Sequence, residues 1–190
     1  MSEEESSSFR VLGVCGGIGS GKSTACKVLV DSCHCLARID ADKVAHSVYA
    51  PGSQAVQDVV TEFGKSILLD EENQMEIDRK KLGAIVFAER SAMAKLEAIV
   101  WPHVKEKLIE QINTLRQQNN NSDTTTKIPI VVLEAAILLD AGWDDLVDGV
   151  WTITASRECT LSRLMETRGL NEAEANKRID AQKSRRGIGT

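Results

Sequence analysis

Aromatic side chains are scarce, at 4% of the 190 residues, so a broad platform for stacking bases or sugars is not expected. No long basic run exists and the formal net charge is −5, which argues against nonspecific nucleic-acid binding. Apolar runs are short. The longest candidate, Ile128 to Leu139, is interrupted by Pro129 and Glu134 and falls below the length of a membrane span. The opening "MSEEESSSF" has neither the basic start nor the apolar core of a secretion signal, and its charge is wrong for a mitochondrial presequence. A soluble, intracellular protein is expected. The five cysteines lack CxxC spacing and are an odd number, so free thiols are the simplest reading. "CHC" at Cys33 to Cys35, with Cys26 nearby, is the one metal pattern to weigh against it.

What is present reads as an α/β fold. "FRVLGVC", Phe9 to Cys15, is an apolar run ending in glycines, as a buried parallel strand would be. A helical pattern follows from Gly21, with Ala25, Val28 and Leu29 on one face. "CLARID" is a second strand, and a helix is expected from about Asp42 to Tyr49. From Pro51 to about Gln118 only helical patterns are seen, with Trp101-Pro102 ending one helix and starting the next. "QQNNNSDTTTK" reads as a polar surface loop. "IPIVVLEA" and "GVWTITA" resume the sheet, and the rest is helical and rich in arginine.

Residues 16–23 match Gly-x-x-x-x-Gly-Lys-Ser in full, with a strand before and a helix after. Such a loop wraps phosphates in backbone N–H groups. Gly16, Gly17, Gly19, Ser20, Gly21, Lys22, Ser23 and Thr24 are the candidate ATP-binding residues. Lys22 can reach the β- and γ-phosphates, and Ser23 can ligate Mg²⁺. A GTPase is disfavoured, because no glycine has an aspartate three places before it and "NKRID" sets its aspartate one residue too far. A motor ATPase normally carries an acidic pair after an apolar strand, and here only Glu134 stands there. A small-molecule kinase remains. Asp40 and Asp42 of "DAD" follow the second strand, where ligands of open α/β sheets bind. Either can cap the next helix or orient an acceptor hydroxyl, and both readings stand. Arg163 and Arg168 suit a lid closing over transferred charge, or a solvated helix face pairing with neighbouring glutamates.

"GVCGGIGSGKST", "IDADKVAHSVYAPG", "FGKSIL", "IDRKKLGAIVF", "VVLEAAILLDAGWDDLVDGVWT" and "RGLNEAEANKRIDAQ" together resemble the dephospho-CoA kinase family, in order and over about Val11 to Gln182. "VYAPG", "WPHV" and "EAAILLDAGW" look most like the kinase domain of the animal bifunctional coenzyme A synthase. The resemblance implies a P-loop NTPase-type three-layer α/β/α fold with a mostly parallel sheet, an inserted helical CoA-binding subdomain and an arginine-bearing helical lid. It implies a disordered N-terminus at 1–8, a core at about 9–50 and 128–160, an insertion at about 51–118 and a lid at about 156–182.

The implied reaction is ATP-dependent phosphorylation of the ribose 3′-hydroxyl of dephospho-CoA, with ATP and Mg²⁺. Asp42 matches the family's catalytic base, Lys22 and the loop its ATP contacts, Arg163 and Arg168 its lid arginines, and Arg79 the arginine of its "DR" signature. The compartment implied is the cytoplasm, with mitochondrial association compatible with the resemblance. Small-molecule substrates are expected, with neither nucleic acid nor a membrane span. Trp101 stands where many members have histidine, and Cys15 where threonine is common. The chain ends at "QKSRRGIGT" where the family continues with a strand and a closing helix, so four strands with an open edge are expected. A catalytically weak or inactive nucleotide- or CoA-binding relative is the alternative reading.

Overall fold

The computed structural model describes residues 9–70, 74–119 and 128–186. They fall into two compact units, one running to Asp40 and resuming at Arg116, the other spanning Ala41–Leu115.

The first unit is built on a parallel sheet. Strand β1 (Arg10–Gly16) is followed by helix α1 (Lys22–Asp31) and strand β2 (Ala37–Asp40). The other two strands, Ile130–Glu134 and Gly149–Ile153, come much later in the chain, and the spatial order places Ile130–Glu134 between β2 and β1. All three pairings are parallel. The central strand Ile130–Glu134 is sealed on both faces, with Val131, Val132 and Leu133 fully buried, which is why it reads as a continuous apolar run. Gly149–Ile153 lies at the edge, and its Val150 and Trp151 are exposed.

Helix α1 meets the sheet through Cys26, which packs with Val14 and Val132 and is flanked by Leu29. Val28 does not share that face as the sequence pattern suggested; it is 49% exposed. Two residues on from Cys26 is about 200° round the helix, so burying Cys26 turns Val28 outward. Beyond the edge strand, helices Arg157–Arg168 and Glu172–Arg186 pair through Leu164, Ala175 and Ile179. The first of these is capped by Ser156, whose hydroxyl accepts the Cys159 N–H.

The second unit holds helices α2 (Ala41–Ser47) and α3 (Gln54–Phe63), the latter capped by Ser53 and buried through Ala55, Val56 and Val59. The expectation of helices alone fails next. Strands β3 (Leu68–Asp70) and β4 (Gln74–Ile77) form an antiparallel hairpin. Strands of three and four residues around an acidic stretch carry too little alternation to register as β from sequence. The hairpin is tied to the helix after it by Lys81 Nζ, which donates to the Leu68 carbonyl at 2.8 Å.

Asp78 caps that helix, α4 (Arg79–Ala88), which buries Leu82 and Val86 but leaves Phe87 83% exposed. Helix α5 (Arg90–Asn119) runs through Pro102 without a break, contrary to the two helices read there. Proline in a helix interior costs about 3 kcal/mol because it removes the bond to the carbonyl four residues back. Ala98 carries that carbonyl and is exposed to water, while Val100, Val104, Leu108 and Ile112 keep one buried stripe going past the proline. Of the polar segment read as a loop, residues 117–119 finish α5, and 120–127 lie outside the described residues. The later strands and helices are β5 (Ile130–Glu134), β6 (Gly149–Ile153), α6 (Arg157–Arg168) and α7 (Glu172–Arg186).

Candidate active site

The glycine loop leaves the C-terminal end of β1 and turns into α1. Gly16 has φ +152°, and a Cβ there would run into the Ile153 carbonyl of β6, so the loop can leave the sheet this tightly only with glycine. The loop closes on itself through the Ser20 N–H, which donates to the Gly17 carbonyl at 3.2 Å. Lys22 begins α1 and its Nζ donates to the same carbonyl at 3.3 Å. Helix α1 has neither a side-chain cap nor an acidic residue in its first turn. Its start, together with the preceding loop, therefore offers backbone donors and positive dipole to an anion. The Ser20 hydroxyl is buried with no hydrogen-bond partner among the described residues.

Behind the loop stands Glu134, at the end of β5 and only 7% exposed. Register places it beside Val14 of β1 on one side and Asp40 of β2 on the other, so β5 and β2 end at one level while β1 runs two residues further to Gly16. Ser23 Oγ donates to Glu134 Oε1 at 2.7 Å, and the Arg38 guanidinium pairs with the other carboxylate oxygen. Burial, the Glu134 charge and a hydrogen bond to Glu134 push the Cys26 thiol up to about 12, so it stays protonated at neutral pH. A serine hydroxyl and a carboxylate side by side are hard oxygen donors, the set that Mg²⁺ takes, so these residues fit that ion. In the sequence Glu134 is only a lone acid ending a strand. Its partner Ser23 lies 111 residues away, which no local pattern could connect.

The other candidate residues are spread over both units. Thr24 is exposed in the first turn of α1. Asp42 is exposed in the first turn of α2, two residues past the end of β2. Arg79, the first residue of α4, sits over the Tyr49 ring at 5.5 Å from its centroid. Arg168 ends α6, exposed, where a cation complements the helix dipole. Arg163 is exposed, yet its guanidinium turns to the loop: its Nη1 donates to the carbonyls of Gly19 at 3.1 Å and Ser20 at 3.0 Å. Gln182 of α7, which the sequence did not mark as a site residue, accepts the Ile18 N–H at 2.6 Å. Among the described residues no group of three or more His, Cys, Asp or Glu is arranged to hold a metal ion, the "CHC" segment included.

Comparison with known proteins decides the family. The model of the dephospho-CoA kinase family matches residues 10–187. The chain belongs to the dephospho-CoA kinase family. Membership makes it a kinase, a transferase that uses ATP. It is 38% identical to the dephospho-CoA kinase of Geobacter sulfurreducens over 174 residues, covering 92% of this chain and 82% of that one. The corresponding protein of Geobacillus kaustophilus is 40% identical over 171 residues, covering 90% and 79%.

Among solved structures, the crystal structure of TT1252 from Thermus thermophilus matches with a TM-score of 0.69 at 25% identity, over 96% of this chain and 86% of that one. The dephospho-CoA kinase from Campylobacter jejuni matches with a TM-score of 0.53 at 26% identity, over 93% and 81%. The fold is the three-layer α/β type of P-loop NTPases with a mostly parallel sheet. Among the described residues no helix is long and apolar enough to cross a membrane.

Proposed function

We propose that this chain transfers the γ-phosphoryl group of ATP to the ribose 3′-hydroxyl of dephospho-CoA, giving coenzyme A and ADP, in the cytoplasm. The observation that carries the reading is the complete glycine loop with its Ser23–Glu134 pair, in a member of this family. The loop amides and the start of α1 bind the phosphates. Lys22, now resting on the Gly17 carbonyl, swings to the β- and γ-phosphate oxygens. Ser23 and Glu134 would hold the Mg²⁺ that accompanies ATP, which would neutralise phosphate charge. Asp42 accepts the proton of the 3′-hydroxyl as the oxygen attacks, and Arg168 closes over the spreading charge. The helical unit holds the CoA portion of the acceptor, with Arg79 braced on Tyr49.

The test is direct. The purified chain is incubated with ATP, Mg²⁺ and dephospho-CoA, and coenzyme A is followed by mass spectrometry. Asp42→Asn is expected to lower turnover by about 10² to 10⁴ while ATP binding stays near the parent value. A fully active Asp42→Asn protein removes the base assignment, and absence of coenzyme A from the folded parent chain removes the activity.

A further inference from the structure

We propose that α6 and α7 form a clamp on the outer side of the phosphate loop, with Arg163 and Gln182 as positioning residues for the nucleotide phosphates. The proposal deepens the kinase reading and rests on it for the identity of the phosphates. Three contacts carry it, all within the sheet unit.

The first is the Arg163 guanidinium, whose Nη1 holds two successive loop carbonyls, those of Gly19 and Ser20. Across a trans peptide the carbonyl of one residue and the N–H of the next point in opposite directions. Pinning these two carbonyls outward therefore keeps the Ser20 N–H turned to the Gly17 carbonyl, which it meets at 3.2 Å, and directs the Gly21 N–H away from Arg163. The second is Gln182, whose Oε1 takes the Ile18 N–H at 2.6 Å, so this amide is engaged by α7. The third is apolar. The Ile18 side chain packs against the Leu164, Ala175 and Ile179 cluster that joins the two helices, so Ile18 is held at both its backbone and its side chain.

Packing leaves no slack at this contact. Gly19 has φ +68°, and a Cβ there would lie 3.0 Å from Thr160 Cγ2. A Cβ on Gly17 would lie 3.1 Å from Gln182 Oε1. The glycines at these places let helices approach the loop from outside as well as letting the loop wrap a phosphate. Arg163 thus differs in role from an arginine that touches the transferred group. It acts through the loop, and its removal loosens the loop whether or not a γ-phosphate is present.

That difference is measurable with Mg-ADP, which lacks the transferred group. Titration calorimetry on Arg163→Ala and Gln182→Met should show ADP affinity weakened about three- to tenfold in each, the range of a single lost hydrogen bond or two. KM for ATP should rise to match, and kcat should fall by less. Amide exchange at Ile18 in the ligand-free protein should be about tenfold faster in Gln182→Met, which keeps the side-chain length but has no carbonyl. Should Arg163→Ala fail to fold, Gln182→Met still carries both readings. Parent-like ADP affinity in both variants, with a loss confined to kcat, would overturn the clamp and return Arg163 to the reacting phosphate. The ADP measurement needs no acceptor. A parent chain that makes no coenzyme A while both variants lose ADP affinity would therefore sink the proposed activity and keep the clamp.

Discussion

In the sheet unit three polar side chains among the described residues, Ser20, Glu134 and Thr160, are buried, and each lies on or against the phosphate loop or the helix that follows it. In the helical unit the buried side chains among the described residues are apolar, from Val44 in α2 to Ile112 in α5. Of its polar pairs, Lys95 with Glu62 lies at the surface and His103 with Asp58 is partly buried. A buried polar group costs free energy unless its partners are in place, so a cluster of them marks where the chain needs fixed charge and fixed geometry. The sheet unit holds a rigid electrostatic site. The helical unit has a core that any well-packed apolar set could supply.

The largest expected difference between the units comes from Glu134→Ala. It leaves Arg38 and Ser23 without their shared partner at a position 7% exposed, and breaking a buried pair in this way costs about 3–5 kcal/mol. Glu134→Gln keeps the volume and an acceptor for Ser23 and should lose clearly less. Urea unfolding of the two variants measures the gap. Equal losses would assign the whole effect to the carboxylate charge that both variants remove, and parent-like stability in both would collapse the contrast between the units.

Next in size is a cavity-forming truncation in the other unit. Leu108 is fully buried in α5, and Leu108→Ala should cost about 2–5 kcal/mol, depending on how far the site collapses. Below the melting transition its ADP affinity should equal that of the parent chain, because Arg163 and Gln182, which hold the loop, belong to the other unit. Weakened ADP binding in a folded Leu108→Ala protein would show that the core of the helical unit sets the loop geometry.

How much of each unit could be read in the sequence obeys the same divide. The glycine loop, β1 and β5 were legible because their demands are local: tight turns need glycine, and a strand sealed on both faces needs an unbroken apolar run. The partners of the loop were not. Ser23 finds Glu134 across 111 residues, and Ile18 finds Gln182 across 164, so the pairs exist only once the sheet has assembled. The resemblance to the family marked Arg163, but the direction its guanidinium takes depends on where α6 lands on Gly19 and Ser20. In the helical unit the helical character of α3 and α5 was legible from spacing. The continuous helix through Pro102 was not, because a local preference against helix was outweighed by a buried stripe extending both ways from it. The β3–β4 hairpin escaped because its strands are too short to show a period.

The smallest effects concern one carboxylate in each unit. Asp148 is opposed by burial, yet the Val11 N–H at 2.7 Å, Arg10 at 2.6 Å and the nearby charge of Arg116 together hold it below its ordinary 3.8. Asp58 is held below 3.8 by hydrogen bonds from Gln54 and His103. For a carboxylate depressed in the folded state, the stabilisation is fully present above the unfolded value and is lost as pH falls through the lower folded one. Both contributions should therefore be complete above about pH 4 and fade below it.

The two differ in what they hold. Asp148 pins the N–H of Val11 near the start of β1, a strand paired on both sides, whereas the partners of Asp58 are side chains. Asp148→Asn should cost about 1 kcal/mol at neutral pH, after allowance for solvent screening of a part-exposed group, and should flatten the acid side of the stability curve below pH 4. Asp58→Asn should change the acid side less. Chemical unfolding of both variants from pH 3 to pH 7 makes the comparison. A larger loss at Asp58 would reverse the order, because the side-chain pair of the helical unit would then matter more than a carboxylate bound to the backbone of a central strand.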